Sequence, residues 1–158
     1  MREILFRGKC SETGKWYTGN YINLHKTTCC FKEDYDRFKG NDMHQIVFEK
    51  MTDWGLPNQH LRVDVISETI GQYTGLTDKN GVKIFEGDIC RFREWSKGNM
   101  CWIGEVHYEH QQFVISGNPN EECESPFTMV MSRFILENIE VIGNIHDNPE
   151  LLKGGEAE

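Results

Sequence analysis

Residues 68–88 read Glu-Thr-Ile-Gly-Gln-Tyr-Thr-Gly-Leu-Thr-Asp-Lys-Asn-Gly-Val-Lys-Ile-Phe-Glu-Gly-Asp. The first six are extended in character, and Val82-Lys83-Ile84-Phe85 alternates apolar with polar as a half-buried strand does. Between them, Asp78-Lys79-Asn80-Gly81 is turn chemistry, because Asn and Gly tolerate a positive φ. The stretch therefore predicts a β-hairpin. At its end Gly87 supplies a backbone conformation closed to other residues, and the Asp88 carboxylate can cap the turn.

Downstream, Ile89-Cys90-Arg91-Phe92-Arg93 alternates, and Ser96-Lys97-Gly98-Asn99 turns the chain into residues 101–108. Glu109-His110-Gln111 turns it again into Gln112-Phe113-Val114-Ile115, giving three consecutive antiparallel strands. Beyond an acidic loop, residues 127–135 are again apolar and residues 140–145 read as a closing strand. Pro149-Glu150-Leu151-Leu152 suits one helical turn. Upstream, Ile4-Leu5-Phe6-Arg7 and residues 15–22 form a strand pair around the turn residues 11–14. Residues 24–41 keep no period and read as a long loop or short helix. Residues 45–50 and 62–66 read as strands joined by a loop through Gly55, Pro57 and Asn58.

These short strands, spaced by about eight to twelve residues, predict a mainly β protein with little helix. The expected organisation is a β-rich subdomain with long loops over residues 1–65, a small SH3-like antiparallel barrel over residues 66–149, and a disordered tail over residues 150–158. The echo between residues 68–72 and 140–144 is what two strands closing one barrel on each other would produce, as would chance.

Composition limits the setting. A chain of 158 residues with four Trp, nine Phe and five Tyr can build one or two modest cores. Its formal net charge of −8 works against attraction to phosphate backbones and anionic lipid. No apolar run approaches the roughly 18 to 20 residues that span a bilayer. The opening residues lack the pattern of a signal peptide, so a cytoplasmic location is expected. The irregularly spaced cysteines Cys10, Cys29, Cys30, Cys90, Cys101 and Cys123 are expected to be reduced thiols.

The run from Glu68 to Gly81, the segment Ile84-Phe85-Glu86-Gly87-Asp88-Ile89 and the segment Val141-Ile142-Gly143-Asn144-Ile145-His146-Asp147-Asn148-Pro149 together resemble the signature of the YopX family of phage and prophage proteins. The opening Arg2-Glu3-Ile4-Leu5-Phe6-Arg7-Gly8, with Gly14-Lys15-Trp16, is similar to that family's start. The resemblance implies a phage-borne accessory protein with an SH3-like barrel. It carries over no catalytic residues. The Cys-rich middle and the acidic loop, Glu121 to Glu124, lie outside the matching segments.

The chemistry-bearing residues do not assemble into an enzyme motif. No Cys-x2-Cys pair is present for structural zinc, and the nearest fragments are His25 with Cys29 and Cys30, and His107 with His110. No Gly-x-Ser-x-Gly elbow or phosphate-binding glycine loop is present either. Asp34 with Asp36, and Glu121, Glu122 and Glu124, read as solvated loops rather than paired catalytic carboxylates. The expectation is a non-enzymatic protein-binding or regulatory module, with no cofactor and no metal. It would act on an unknown phage or host protein, with exposed strand edges that can support self-association. The alternative is a nucleic-acid-binding accessory that uses the hairpin from Arg91 to Trp102. Arg91, Arg93, Trp95 and Lys97 would track phosphates and stack on bases. Against it, strand alternation predicts that Phe92 and Trp102 fill the core while Arg91 and Arg93 face water.

Overall fold

A computed structural model describes residues 3–25, 31–37, 42–94, 100–117 and 127–152. The chain divides into two compact units, Ile4–Ile70 and Gly71–Glu158, the latter together with Met1–Glu3. The elements are mainly β, and their sheets are antiparallel.

In the unit Ile4–Ile70, β1 (Phe6–Lys9), β2 (Trp16–His25), β3 (Asp42–Lys50) and β4 (Gln59–Asp64) form a meander in sequence order. The short helix α1 (Lys32–Arg37) lies between β2 and β3, where the sequence shows no period. Ile46 is fully buried, with Val65 and Cys10 also inside. The expected strand through residue 66 stops at Asp64, and residues 68–70, read as extended, begin instead with a 3-10 turn at Ser67–Thr69. The reason is Thr69, whose hydroxyl donates to the Ile66 carbonyl at 2.7 Å and accepts the Lys9 N–H at 2.9 Å. A side chain that bonds back to its own backbone competes with the extended form.

In the other unit, β5 (Gly71–Thr77) and β6 (Lys83–Phe85) make the hairpin expected from residues 68–88. A five-stranded sheet follows, in the order β10-β9-β8-β7-β11. Its members are β7 (Asp88–Glu94), β8 (Met100–Glu109), β9 (Gln112–Gly117), β10 (Phe127–Val130) and β11 (Ile139–Asn144). Among the described residues no ladder joins β10 to β11, so the expected barrel is not closed by hydrogen bonds. Between those strands the chain turns into α2 (Arg133–Leu136), whose Ile135 and Leu136 pack into the core instead. The echo segments do not pair with each other either, since β11 lies on β7. That core gathers Ile84, Cys90, Phe92, Trp102, Val106, Ile115, Ile135 and Ile139. Phe92 stacks on Trp102 at 4.7 Å between ring centroids, and Trp102 meets Phe127 at 4.6 Å.

Asp78 and Gly87 hold this unit's turns in place. The Asp78 carboxylate is 5% exposed and accepts three backbone N–H groups. Those of Asn80 at 2.8 Å and Val82 at 2.9 Å reach Oδ1, and that of Val141 at 3.0 Å reaches Oδ2. Val141 precedes a register shift in β11, and bulges interrupt the regular ladder. A hairpin carboxylate thus accepts the Val141 donor from 63 residues away. Gly87 has φ 75°, donates its N–H to the Val106 carbonyl at 2.8 Å and accepts the Ile145 N–H at 2.9 Å. The left-handed conformation is what points both groups at their partners.

Candidate functional site

The most exposed apolar feature among the described residues is the loop between β3 and β4. Strand pairing runs to Lys50 opposite Gln59, which leaves residues 51–58 to turn the chain. Within them the Leu56 N–H donates to the Asp53 carbonyl at 3.1 Å, and Gly55 has φ 83°. A positive φ at the third turn position is the requirement of a type II turn, and glycine meets it without strain. Trp54 therefore stands at the second position of a tight turn, where no neighbouring strand covers it. It is 101% exposed, with Met51 at 78% and Leu56 at 62%. The loop's base is fixed, since Thr52 Oγ1 donates to the Pro57 carbonyl at 3.2 Å and Asn58 Nδ2 to Glu49 Oε2 at 3.2 Å. An indole on an anchored turn can enter an apolar pocket with little further ordering, which is how a binding hot spot works.

A second feature of the same unit is a recess of about 360 Å³ lined by Cys10, Thr13, Tyr17, Gln45, Arg62 and Asp64, with Glu12 and Val63 at its wall. Cys10 follows β1 at a turn closed by its own N–H to the Lys15 carbonyl, 2.8 Å, and by the Gly14 N–H to the Cys10 carbonyl, 3.0 Å. Its Sγ accepts the Thr13 N–H at 3.4 Å. Hydrogen bonding from Thr13 holds the thiol below its ordinary value, against burial and the Glu12 carboxylate, which push it up. Gln45 donates from Nε2 to Asp64 Oδ1 at 2.7 Å.

On the β2–β3 sheet, Tyr21 Oη lies 2.6 Å from His44 Nδ1, and His25 Nδ1 lies 2.7 Å from Asp42 Oδ1. Burial, with the Asp42 carboxylate adding to it, raises the Tyr21 phenol, so it stays neutral as a partner for imidazole. A larger depression of about 460 Å³ lies beside Gly75, Lys79, Leu136 and Glu137, but the Asp78 carboxylate in its wall is already held by backbone donors. Among the described residues no group of three or more His, Cys, Asp or Glu side chains is placed to hold a metal ion.

Of the basic residues singled out in the sequence, Arg91 and Arg93 lie on β7 and Trp95 and Lys97 lie outside the described residues. Arg93 is exposed. Arg91 is half-buried opposite Glu140, with Nη2 3.8 Å from its Oε2, and Lys79 Nζ reaches the same oxygen at 2.9 Å. These two cations, the closer Lys79 first, hold the Glu140 carboxyl below its ordinary value. The aromatic partners Phe92 and Trp102 are in the core, 2% and 4% exposed, as alternation predicts, so neither is offered to a base. The acidic loop Glu121 to Glu124, the Cys29-Cys30 pair, the turn 96–99 and the tail beyond residue 152 also lie outside the described residues.

The sequence reading passed over Trp54, Cys10 and Gln45. A Trp inside Asp-Trp-Gly-Leu-Pro, between two strand candidates, was the signal available for the first. The recess has none, because its residues come from the turn after β1 and from β2, β3 and β4.

Fold and surface define a two-unit, mainly β protein with a presented apolar turn. The chain belongs to the YopX protein family, whose family model matches residues 5–153. It is also similar to a solved structure, the crystal structure of protein EF1440 from Enterococcus faecalis. The identity is 24%, the match covers 96% of this chain and 99% of that one, and the TM-score is 0.50, a likeness of fold. No curated protein matches. Among the described residues no helix is long and apolar enough to cross a membrane.

Proposed function

We propose that the protein is a non-enzymatic, phage- or prophage-borne binding module that engages a phage or host protein in the bacterial cytoplasm. The observation that carries this reading is the loop tip, where Trp54 is 101% exposed between Met51 and Leu56. Burying an indole removes on the order of 150 to 250 Å² from water, about 4 to 6 kcal/mol before the cost of association. An apolar tip on a chain of net charge −8 favours an apolar protein pocket over phosphate or anionic lipid. The SH3-like reading of residues 66–149 has support of its own. The strands β7 to β10 form a meander, β7 also pairs with β11, and a short helix precedes β11, an order of elements that supports the reading.

The test is affinity capture of the tagged chain from phage-bearing host cells, with and without nuclease, beside a variant carrying Met51→Ser, Trp54→Ser and Leu56→Ser. Exposed positions tolerate such changes within about 0.5 kcal/mol, so the variant keeps its fold by circular dichroism. Protein partners that survive nuclease and bind the variant at least about 30-fold more weakly support the reading. Partners held equally by the variant, or lost entirely with nuclease, refute it. Sedimentation across a concentration series identifies the case in which the partner is a second copy.

A further inference from the structure

We propose that the partner of the apolar turn is a second copy of the chain, with the two β4 strands paired antiparallel about Leu61 and the Trp54 turn of each copy docked at the other's recess. The proposal rests on the reading of Trp54 as a binding element and names what that element engages. β4 is the end strand of its sheet, and among the described residues no strand lies along its outer edge. Two backbone bonds fix which groups face that edge. The Val65 N–H donates to the His44 carbonyl of β3 at 2.9 Å, and the Asp64 carbonyl accepts the Ser11 N–H at 3.1 Å on the opposite side. Direction alternates along an antiparallel strand, so Leu61 and Val63 bond toward β3, while His60 and Arg62 turn their N–H and C=O outward. Both residues are exposed, and among the described residues nothing bonds to their outward backbone groups. Such an edge is a template for another strand.

The edge leaves one symmetric register. Ser11 occupies it at Asp64, and the ladder with β3 ends at Gln59, so a two-fold pair that uses every free group is centred on Leu61. His60 of each copy then lies opposite Arg62 of the other. Leu61 lies beside its own copy, on the sheet face that carries the buried Ile46. The same register sets Asn58 against the second copy's Asp64. The turn 51–58 therefore runs on to the recess that Val63 and Asp64 line with Tyr17 and Thr13. At about 360 Å³ the recess is larger than an indole, and Cys10, Tyr17 and Val63 give it an apolar wall.

One two-fold axis closes both contacts, because edge and turn belong to the same hairpin. The area is sufficient. Trp54 with Met51 and Leu56 buries on the order of 400 Å² per copy, the receiving surface loses a similar amount, and the dimer total of roughly 1,600 Å² is that of a stable interface.

The full chain is sedimented over a concentration series, with reductant present, beside Trp54→Ser and Arg62→Pro. Proline at position 62 removes only an outward N–H, which an edge strand tolerates. The parent is expected to dimerise with a Kd of about 10 μM or tighter. Trp54→Ser should weaken the dimer by about 30-fold per turn and, with two turns per dimer, by on the order of 1,000-fold. Arg62→Pro should be monomeric. Leu61→Cys keeps the test valid if Arg62→Pro does not fold. Position 61 is a non-hydrogen-bonded pair on the axis, with Cα atoms about 4.5 Å apart, so mild oxidation should join it to itself across copies. Peptide mass mapping reads that link. A parent still monomeric at about 100 μM overturns the proposal. So does a dimer that Trp54→Ser leaves unchanged, or oxidation of Leu61→Cys that links only other positions. A monomer that holds captured proteins through Trp54 sinks the dimer alone, whereas captured proteins indifferent to Trp54 sink the reading of the turn as well.

Discussion

Replacing Asp78 with Ala should be one of the costliest single changes in the unit Gly71–Glu158. Three backbone donors converge on its carboxylate at 2.8, 2.9 and 3.0 Å, and the residue is 5% exposed. A hydrogen bond to a charged acceptor contributes about 1.5 to 3 kcal/mol. The Asn80 and Val82 amides sit on an exposed turn where water can replace part of that, so the sum falls at about 3 to 5 kcal/mol. Asp78→Asn separates the contributions. Its remaining carbonyl can keep Asn80 and Val82, but its NH₂ group then faces the Val141 N–H, donor against donor. That variant should cost about half as much. In urea, with a slope of about 2 kcal/mol/M, Asp78→Ala lowers the midpoint by about 2 M and Asp78→Asn by about 1 M. Hydrogen exchange adds a local readout, since the Val141 amide should lose protection in both variants. A midpoint for Asp78→Ala within about 0.3 M of the parent would refute the assignment of this carboxylate as the tie between hairpin and β11.

Three further outcomes are expected. Glu140 has its pKa lowered from 4.5 by the Lys79 hydrogen bond and charge and then by Arg91. A value lower in the folded state means stabilisation present above the ordinary value and lost as pH falls through the lowered one. Thermal midpoints of the parent and Glu140→Gln should therefore differ at neutral pH, and the difference should shrink as the pH falls through the lowered value. Gly87→Ala meets only ordinary contacts, the nearest at 3.5 Å to Ile145, so its cost is that of holding φ at 75° with a Cβ. About 1 to 2 kcal/mol, or a melting temperature lower by about 2 to 8 °C in calorimetry, is expected. With Phe92 and Trp102 buried, the chain should give no salt-sensitive mobility shift with single-stranded DNA. A shift abolished by Arg93→Glu would revive the nucleic-acid reading.

What the sequence disclosed follows the range of the interactions involved. The turn from Asp78 to Gly81 was legible because its chemistry is local, and alternation correctly sent Phe92 inward and Arg93 outward. The 3-10 turn at Ser67–Thr69 was not, because the Thr69 hydroxyl answers to Lys9, 60 residues earlier. Barrel closure was over-read for a related reason. Strand spacing shows how many strands exist, whereas the packing of Ile135 beside β11 decides whether the outer two meet. The recess could not be read at all, since Cys10, Gln45 and Asp64 become neighbours only through sheet pairing. Trp54 inverted the usual expectation that a large apolar residue is buried.

The position of β7 sets an order of events during synthesis. It is an inner strand of its sheet, paired with β8 on one side and β11 on the other. β8 follows it closely, but β11 leaves the ribosome about 50 residues later, a delay of about 3 to 10 s at ordinary elongation rates. Throughout that interval one edge of β7 is open, and a nascent chain on a crowded polysome presents it to its neighbours. Arg91 and Arg93 put like charge along that edge, which discourages pairing between copies. Only when Glu140 arrives opposite Arg91 is the edge covered, so β11 also ends the period of risk.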